Sequence, residues 1–217
     1  MNNQPLFERV RPREFPQLIG QDAIVKRLMM LESKQQLGGR AYWLAGLSGT
    51  GKTTLAKIIA GKIAGEFSTT EIPVKSLSIK ALDDWERSTR ARCIDGTGHA
   101  LIINEAHGLR KDAMFHLLDM LERLRPYTVV IFTTTMEGQA VLFEESADTG
   151  PLMSRCVQLQ LKTSGPELTL AFAKHVRSIA QAEGMDGKPI TDYLALLARC
   201  KNNLRAALNS IESGEML

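Results

Sequence analysis

Apolar and polar positions along this chain follow two alternating periods. Short apolar runs at Ala41–Ala45, Val74–Lys80, His99–Ile103, Thr128–Thr133 and Val157–Leu161 have the length of core strands. Between them lie amphipathic stretches at Ala23–Gln36, Thr53–Ala64, Asp84–Cys93, Arg110–Leu124 and Glu137–Phe143. In the fourth of these, Ala113, Met114, Leu117, Leu118 and Leu121 fall on one face at helical spacing. Strand and helix in alternation predict βαβ units, hence a three-layer α/β fold around a parallel sheet. The pattern breaks at Lys162-Thr163-Ser164-Gly165-Pro166, where Thr163 or Ser164 is expected to cap a helix opened by Pro166. Three further helices are predicted, at Glu167–Gly184, Asp192–Arg199 and Asn203–Ser213. The expected division is an α/β domain over 1–162 and a small all-helical domain over 163–217, with a cleft between them.

Composition narrows this picture. The 217 residues are 44% hydrophobic, enough for a large core and too much for a disordered chain. Cys93, Cys156 and Cys200 are far apart and show no CxxC spacing, so no disulfide framework or zinc module is expected and a reducing cytosol fits. Met1-Asn2-Asn3-Gln4 lacks the layout of a signal peptide, and no apolar run approaches the ~20 residues needed to span a bilayer. A cytoplasmic location is the expectation. The net charge of +3 permits a nucleic-acid partner without arguing for one.

The chemistry enters at Gly46-Leu47-Ser48-Gly49-Thr50-Gly51-Lys52-Thr53, which fits the phosphate-loop pattern GxxxxGK[ST] at every fixed position. It follows an apolar strand and opens a helix. Glycines let successive N–H groups point at phosphate oxygens, and the helix N-terminus adds partial positive charge. ATP with Mg²⁺ is the expected ligand. Lys52 is placed to reach the β- and γ-phosphates, the Thr53 hydroxyl to hold Mg²⁺, and Ser48, Thr50 and Thr54 to complete the loop. A second constellation is Ala100-Leu101-Ile102-Ile103-Asn104-Glu105, an apolar strand delivering two polar groups at its C-terminal end. Glu105 is the candidate to orient the attacking water, and the Asn104 amide oxygen to accept from metal-bound water.

With these residues in view the chain resembles the AAA+ ATPases of the DNA clamp-loader family, the replication factor C small subunit and the bacterial polymerase III gamma/tau subunit. Arg9-Val10-Arg11-Pro12-Arg13-Glu14-Phe15-Pro16-Gln17-Leu18-Ile19-Gly20-Gln21 is similar to that family's N-terminal box. The resemblance implies an adenine pocket of Val10, Arg11, Pro12, Ile19 and Gly20. Leu109 to Glu122 resembles the helix these proteins carry there, with Met114 where the family often has Gln. Most relatives have Asp where Asn104 stands, so weaker Mg²⁺ binding or slower turnover is implied. Ile131 to Thr135 resembles the sensor-1 strand, with Thr135, or Thr134 beside it, contacting the γ-phosphate region. Ser154-Arg155-Cys156 resembles the SRC motif, whose arginine enters the neighbouring subunit's ATP site. Asn202-Asn203-Leu204-Arg205 resembles the sensor-2 helix start, which would set Arg205 on the phosphates.

The implied partners are other AAA+ subunits, a sliding clamp and primer–template DNA. Arg87 and Arg90, on a helix expected to face duplex DNA, with Arg92 close by, are either phosphate contacts or a solvated face. Trp85 is expected in the core, and His107, His116 and His175 are too scattered for a metal site. The chain lacks the family's third, collar-forming domain and the zinc insertion, so it reads as a compact or shortened relative. Two other functions stay open: another DNA-acting AAA+ ATPase, for branch migration or fork maintenance, and a nucleotide-binding structural subunit with little hydrolysis.

Overall fold

The computed structural model describes residues 4–93, 97–135 and 149–217. The predicted helix Glu137–Phe143 lies outside them. Five strands form one parallel sheet: β1 (Arg40–Ala45), β2 (Ala64–Pro73), β3 (Gly98–Asn104), β4 (Thr128–Thr134) and β5 (Cys156–Gln160), in the order β2-β3-β4-β1-β5. The three middle strands are the most apolar because helices cover both of their faces. On one face, α2 (Asp22–Ser33) and α3 (Lys52–Ile63) pack Leu28, Leu55 and Ile59 against Tyr42, Leu44, Ile102 and Ile131. On the other, α4 (Ile79–Ser88), α5 (Lys111–Glu122) and α6 (Thr149–Ser154) pack Leu82, Trp85, Leu117 and Leu152 against Trp43, Leu101, Ile103 and Phe132. The three-layer α/β expectation therefore holds, and Trp85 is in the core.

A third apolar cluster joins α7 (Pro166–Ala182), α8 (Ile190–Arg199) and α9 (Leu204–Glu212) through Phe172, Val176, Tyr193, Leu197 and Ile211. The short N-terminal helix α1 (Leu6–Arg9) inserts Leu6 into this cluster. It is tied down by Leu6 N–H donating to Glu212 Oε1 at 3.0 Å and by Arg9 Nη2 donating to Glu183 Oε2 at 2.8 Å. The chain thus starts on the helical layer before crossing to the sheet. Among the described residues no helix is long and apolar enough to cross a membrane.

Two predicted elements are corrected. Val74–Lys80 is not a strand; the second strand is Ala64–Pro73, with an irregularity in its pairing between Ala64 and Thr69. It is an edge strand, half exposed and rich in Ser, Thr and Glu, so it lacks the apolar run that marks a central strand. Val74 and Leu77 instead anchor a loop to the core, and Ser78 opens a helix by accepting from Ala81 N–H at 3.1 Å. The following helix is consequently Ile79–Ser88 rather than Asp84–Cys93. Arg90 falls beyond its end and does not share a helix face with Arg87. The cap of α7 is Gly165, at φ 120°, and neither Thr163 nor Ser164 supplies it.

The capping contact separates the two assignments experimentally. Ser78→Ala is expected to lower stability by about 1 kcal/mol in urea denaturation; a strand residue facing solvent would give no measurable change.

Candidate nucleotide site

At the end of β1 the chain leaves the sheet and curls through Gly46–Gly51 into α3. Gly49 and Gly51 have φ of 74° and 100°, a region that costs other residues roughly 1–2 kcal/mol. A Cβ on Gly51 would meet nothing within 4 Å, so the loop faces open space there, whereas one on Gly49 would lie 1.8 Å from Asn203 Oδ1. Gly51 is the N-cap of α3 and no side chain caps the helix. Its first amides therefore point into the cleft with the positive end of the helix dipole behind them. Lys52 Nζ donates to the carbonyls of Gly46 at 2.9 Å and Leu47 at 2.7 Å, which stations an ammonium over the same loop. Curled backbone amides, a helix N-terminus and an ammonium together fit a polyphosphate.

The strand ends supply the second wall. Asn104 closes β3, and its Oδ1 accepts from the Thr133 hydroxyl at 2.8 Å while its Nδ2 donates to Glu71 Oε1 at 2.6 Å. Glu105 follows in a left-handed conformation, φ 62°, with its side chain 61% exposed and Oε2 3.3 Å from His107 Nε2. A non-glycine residue held at positive φ is strained, and such strain concentrates at functional sites. Thr133 and Thr135 both line the cleft, as alternation along a strand requires. Thr134 is buried behind it, its hydroxyl 3.3 Å from His107 Nδ1. Of the two threonines, Thr135 is the one on the cleft.

The cleft brings together most of the residues singled out from sequence. Ser48, Gly49, Thr50, Gly51, Lys52, Thr53 and Thr54 form its floor, with Asn104 and Glu105 beside them. Val10, Arg11, Pro12 and Ile19 form one end, and Arg205 faces in from α9. Arg11 Nη1 donates to the Thr54 hydroxyl at 2.9 Å, and its hydrogen bonds to Glu8 hold that carboxyl below the usual carboxylate range. The Arg205 guanidinium sits 5.4 Å from the centre of the Phe7 ring. Gly20 and Gly46 stand behind the lining. A Cβ on Gly20 would be 2.2 Å from Leu168 Cδ1, so this glycine lets α7 approach the N-terminal box.

Sequence reasoning did not single out Phe7, Gln21, His175, Leu204 or Leu208 as cleft residues. Gln21 is 3% exposed; its amide donates to Lys162 O at 3.1 Å and accepts from Lys162 N–H at 2.9 Å, pinning the box to the end of the sheet. A glutamine directly after Gly20 in the N-terminal box was the available signal. His175 comes from α7, and burial lowers its pKa. From the sequence the histidines read as too scattered for a metal site, but His116 meets Asp83 and Glu86 where α4 packs on α5, with one ligand atom from each within 4.8 Å of the others. Arg123 Nε already lies 3.4 Å from Glu86 Oε1 in that group.

Arg155 does not enter this cleft. It precedes β5, at the sheet edge opposite the phosphate loop, because Cys156 pairs with Ala41 and Gln160 with Ala45. The four residue steps from Cys156 to Gln160 span about 13 Å. Its guanidinium pairs with Glu122 and donates to Pro151 O at 2.9 Å.

Residues 42–142 match the family described as "ATPase family associated with various cellular activities (AAA)". The chain is 24% identical over 97% of its length to the replication factor C small subunit of Natronomonas pharaonis and 27% identical over 98% to the DNA polymerase III subunit gamma of Buchnera aphidicola. It is 29% identical over 83% to the DNA polymerase III subunit gamma/tau of Mycoplasma genitalium. It spans 62%, 61% and 32% of the length of those relatives. Among solved structures, the Thermotoga maritima RuvB Holliday junction branch migration motor aligns with a TM-score of 0.69 at 22% identity, covering 93% of this chain and 64% of that one, which is a likeness of fold.

Two measurements probe the cleft. Gly49→Ala adds a methyl against Asn203 in a left-handed backbone and must displace the loop, so nucleotide affinity measured by titration should fall about five- to thirtyfold, the equivalent of ~1–2 kcal/mol. For His175, the unfolded ring titrates near 6.5 and the folded ring lower. As pH falls through 6.5 the unfolded state gains the proton first, so stability declines until the folded ring also titrates. His175→Gln should flatten that decline in urea denaturation followed from about pH 7.5 to 5.5.

Proposed function

We propose that this chain binds ATP with Mg²⁺ and hydrolyses it as one subunit of a clamp-loader-like assembly that places a sliding clamp on primer–template DNA. The observation that carries the reading is the single cleft in which the Lys52 ammonium, the α3 N-terminus, the strand-end pair Asn104–Glu105 and the α9 residue Arg205 converge. In this reading Gly46 to Thr54 cradle the phosphates, Thr53 and Asn104 serve the metal, and Val10, Arg11, Pro12, Ile19 and Gly20 shape the base pocket. Bound Mg²⁺ would neutralise charge on the β- and γ-phosphates. Glu105 holds and orients the attacking water. Thr135 and Arg205 register the γ-phosphate, so hydrolysis is felt by the helical lid through Arg205. The division into an ATPase domain over 1–162 and a lid over 163–217 belongs to the same reading.

Arg155 is assigned to the neighbouring subunit's site. It lies too far from its own phosphate loop, and its ion pair with Glu122 is half exposed, so exchanging that partner for a phosphate costs about 0–1 kcal/mol. An arginine supplied in trans is worth roughly 10³–10⁵ in rate in the best phosphate-loop systems. Arg87, Arg90 and Arg125 are the candidate DNA phosphate contacts, alternating with Asp83 and Glu86 on the same surface.

A second reading, a nucleotide-binding structural subunit that barely turns over, is favoured by the uncharged Asn104. Steady-state ATPase assays with and without primed DNA and a clamp decide between them. Stimulation by both supports the loader; nucleotide binding without turnover in the assembled state supports the structural subunit. Mixing Arg155→Ala chains with Lys52→Ala chains should recover part of the activity, since each donates what the other lacks. No recovery in oligomers shown to be mixed removes the trans role of Arg155.

A further inference from the structure

The surroundings of Asn104 hold a feature that the phosphate-loop motifs do not include. Glu71, on β2, stands opposite Ile102 in the pairing with β3, so Asn104, two residues on, shares its face of the sheet. Glu71 Oε1 accepts from Asn104 Nδ2 at 2.6 Å, and its other oxygen is 3.5 Å from Lys57 Nζ. Lys57 is one helical turn after Thr53, and α3 covers this face. On the opposite side Thr133 donates to Asn104 Oδ1 at 2.8 Å. One row therefore runs from α3 through β2 and β3 to β4: Lys57, Glu71, Asn104, Thr133.

The chemistry of the row fixes the orientation of the amide. An ionised carboxylate only accepts, so the atom of Asn104 that faces Glu71 must be the amide nitrogen. The amide oxygen is then turned to the Thr133 hydroxyl. An aspartate at this position would set two like charges in contact, an unfavourable arrangement. The uncharged residue at 104 and the charged one at 71 are thus complementary: the negative charge is kept in this corner, one side chain away.

We propose that Glu71 is a positioning residue of the nucleotide site, supplying through Asn104 the carboxylate charge that the β3 end lacks and thereby setting the Mg²⁺ dependence of nucleotide binding. This rests on the ATP–Mg²⁺ reading above. Glu71 does not line the cleft; it acts by orienting Asn104 and by its field. Residues holding a metal site from behind typically contribute 10- to 100-fold in metal affinity.

The test titrates a fluorescent ATP analogue into wild type, Glu71→Gln, Glu71→Asp and the double variant Glu71→Gln/Asn104→Asp, each with EDTA and with Mg²⁺. In Glu71→Gln the gain in affinity on adding Mg²⁺ should shrink about tenfold, while binding in EDTA is retained or tightened, because the carboxylate's field repels metal-free phosphates. Glu71→Asp keeps the charge and should retain most of the gain. The double variant returns a carboxylate to the strand end and should recover the wild-type gain. Unchanged Mg²⁺ dependence in Glu71→Gln, or a double variant no better than Glu71→Gln, overturns this inference while leaving nucleotide binding intact. Absence of saturable binding by folded wild type in both buffers overturns the parent reading and this one with it.

Discussion

The first turn of an α-helix has amide groups with no partner inside the helix, and α3 begins on a glycine that has no side chain to cap it. That constraint organises the site. The loop ahead of α3 curls through two left-handed glycines, which keep the amides turned toward the cleft instead of burying them. Because all five strands are parallel, every strand C-terminus reaches the same edge of the sheet. The unsatisfied helix end, the polar strand ends of β3 and β4 and the Lys52 ammonium are therefore neighbours by topology. Nothing in their separations along the chain brings them together.

The helical layer is held to this edge by contacts of different kinds. Asn203 caps α9 by accepting from Ala206 N–H at 3.1 Å, and the same side chain fills the space that a Cβ on Gly49 would need. One residue thus opens α9 and rests on the phosphate loop. Gln21 clamps the N-terminal box to Lys162 with two hydrogen bonds, and Gly20 lets α7 pack directly on that box. The N-terminal segment reaches the helical layer through Leu6 and Phe7, and Phe7 in turn holds the Arg205 guanidinium. The N-terminal box, the phosphate loop and the helical layer are mechanically linked, so a displacement of the loop has a short packed route to α9.

The electrostatics of the cleft are balanced locally. Arg11 is paired with Glu8 and also donates to Thr54, which orients it along the cleft wall and limits its reach to a ligand. Glu71 sits between Lys57 and Asn104. Glu105 is the acidic side chain of the site that stays largely exposed, next to His107. Its left-handed backbone turns it out of the strand and leaves the carboxyl exposed beside the cleft.

Periodicity and spacing along the chain were sufficient for the central strands, the long helices and the phosphate loop. These features are local: a strand buried on both faces needs an unbroken apolar run, and a phosphate loop needs its glycines and lysine at set intervals. Edge strand β2 escaped because Ser68 to Glu71 face solvent on one side and carry no apolar run, and α4 was displaced in consequence. The partners of a side chain were equally hidden. Asn104 reads in the sequence as a missing charge; only the pairing of β2 with β3 places Glu71 against it. Arg155 reads in the sequence as a residue for a neighbouring subunit's site, and only the sheet register shows that it lies at the far end of β5 from its own phosphate loop. His175, some 120 residues after Lys52 in the chain, joins the cleft solely because α7 folds over it. What depends on one stretch of backbone was written in the sequence, whereas what depends on two stretches meeting was decided by packing.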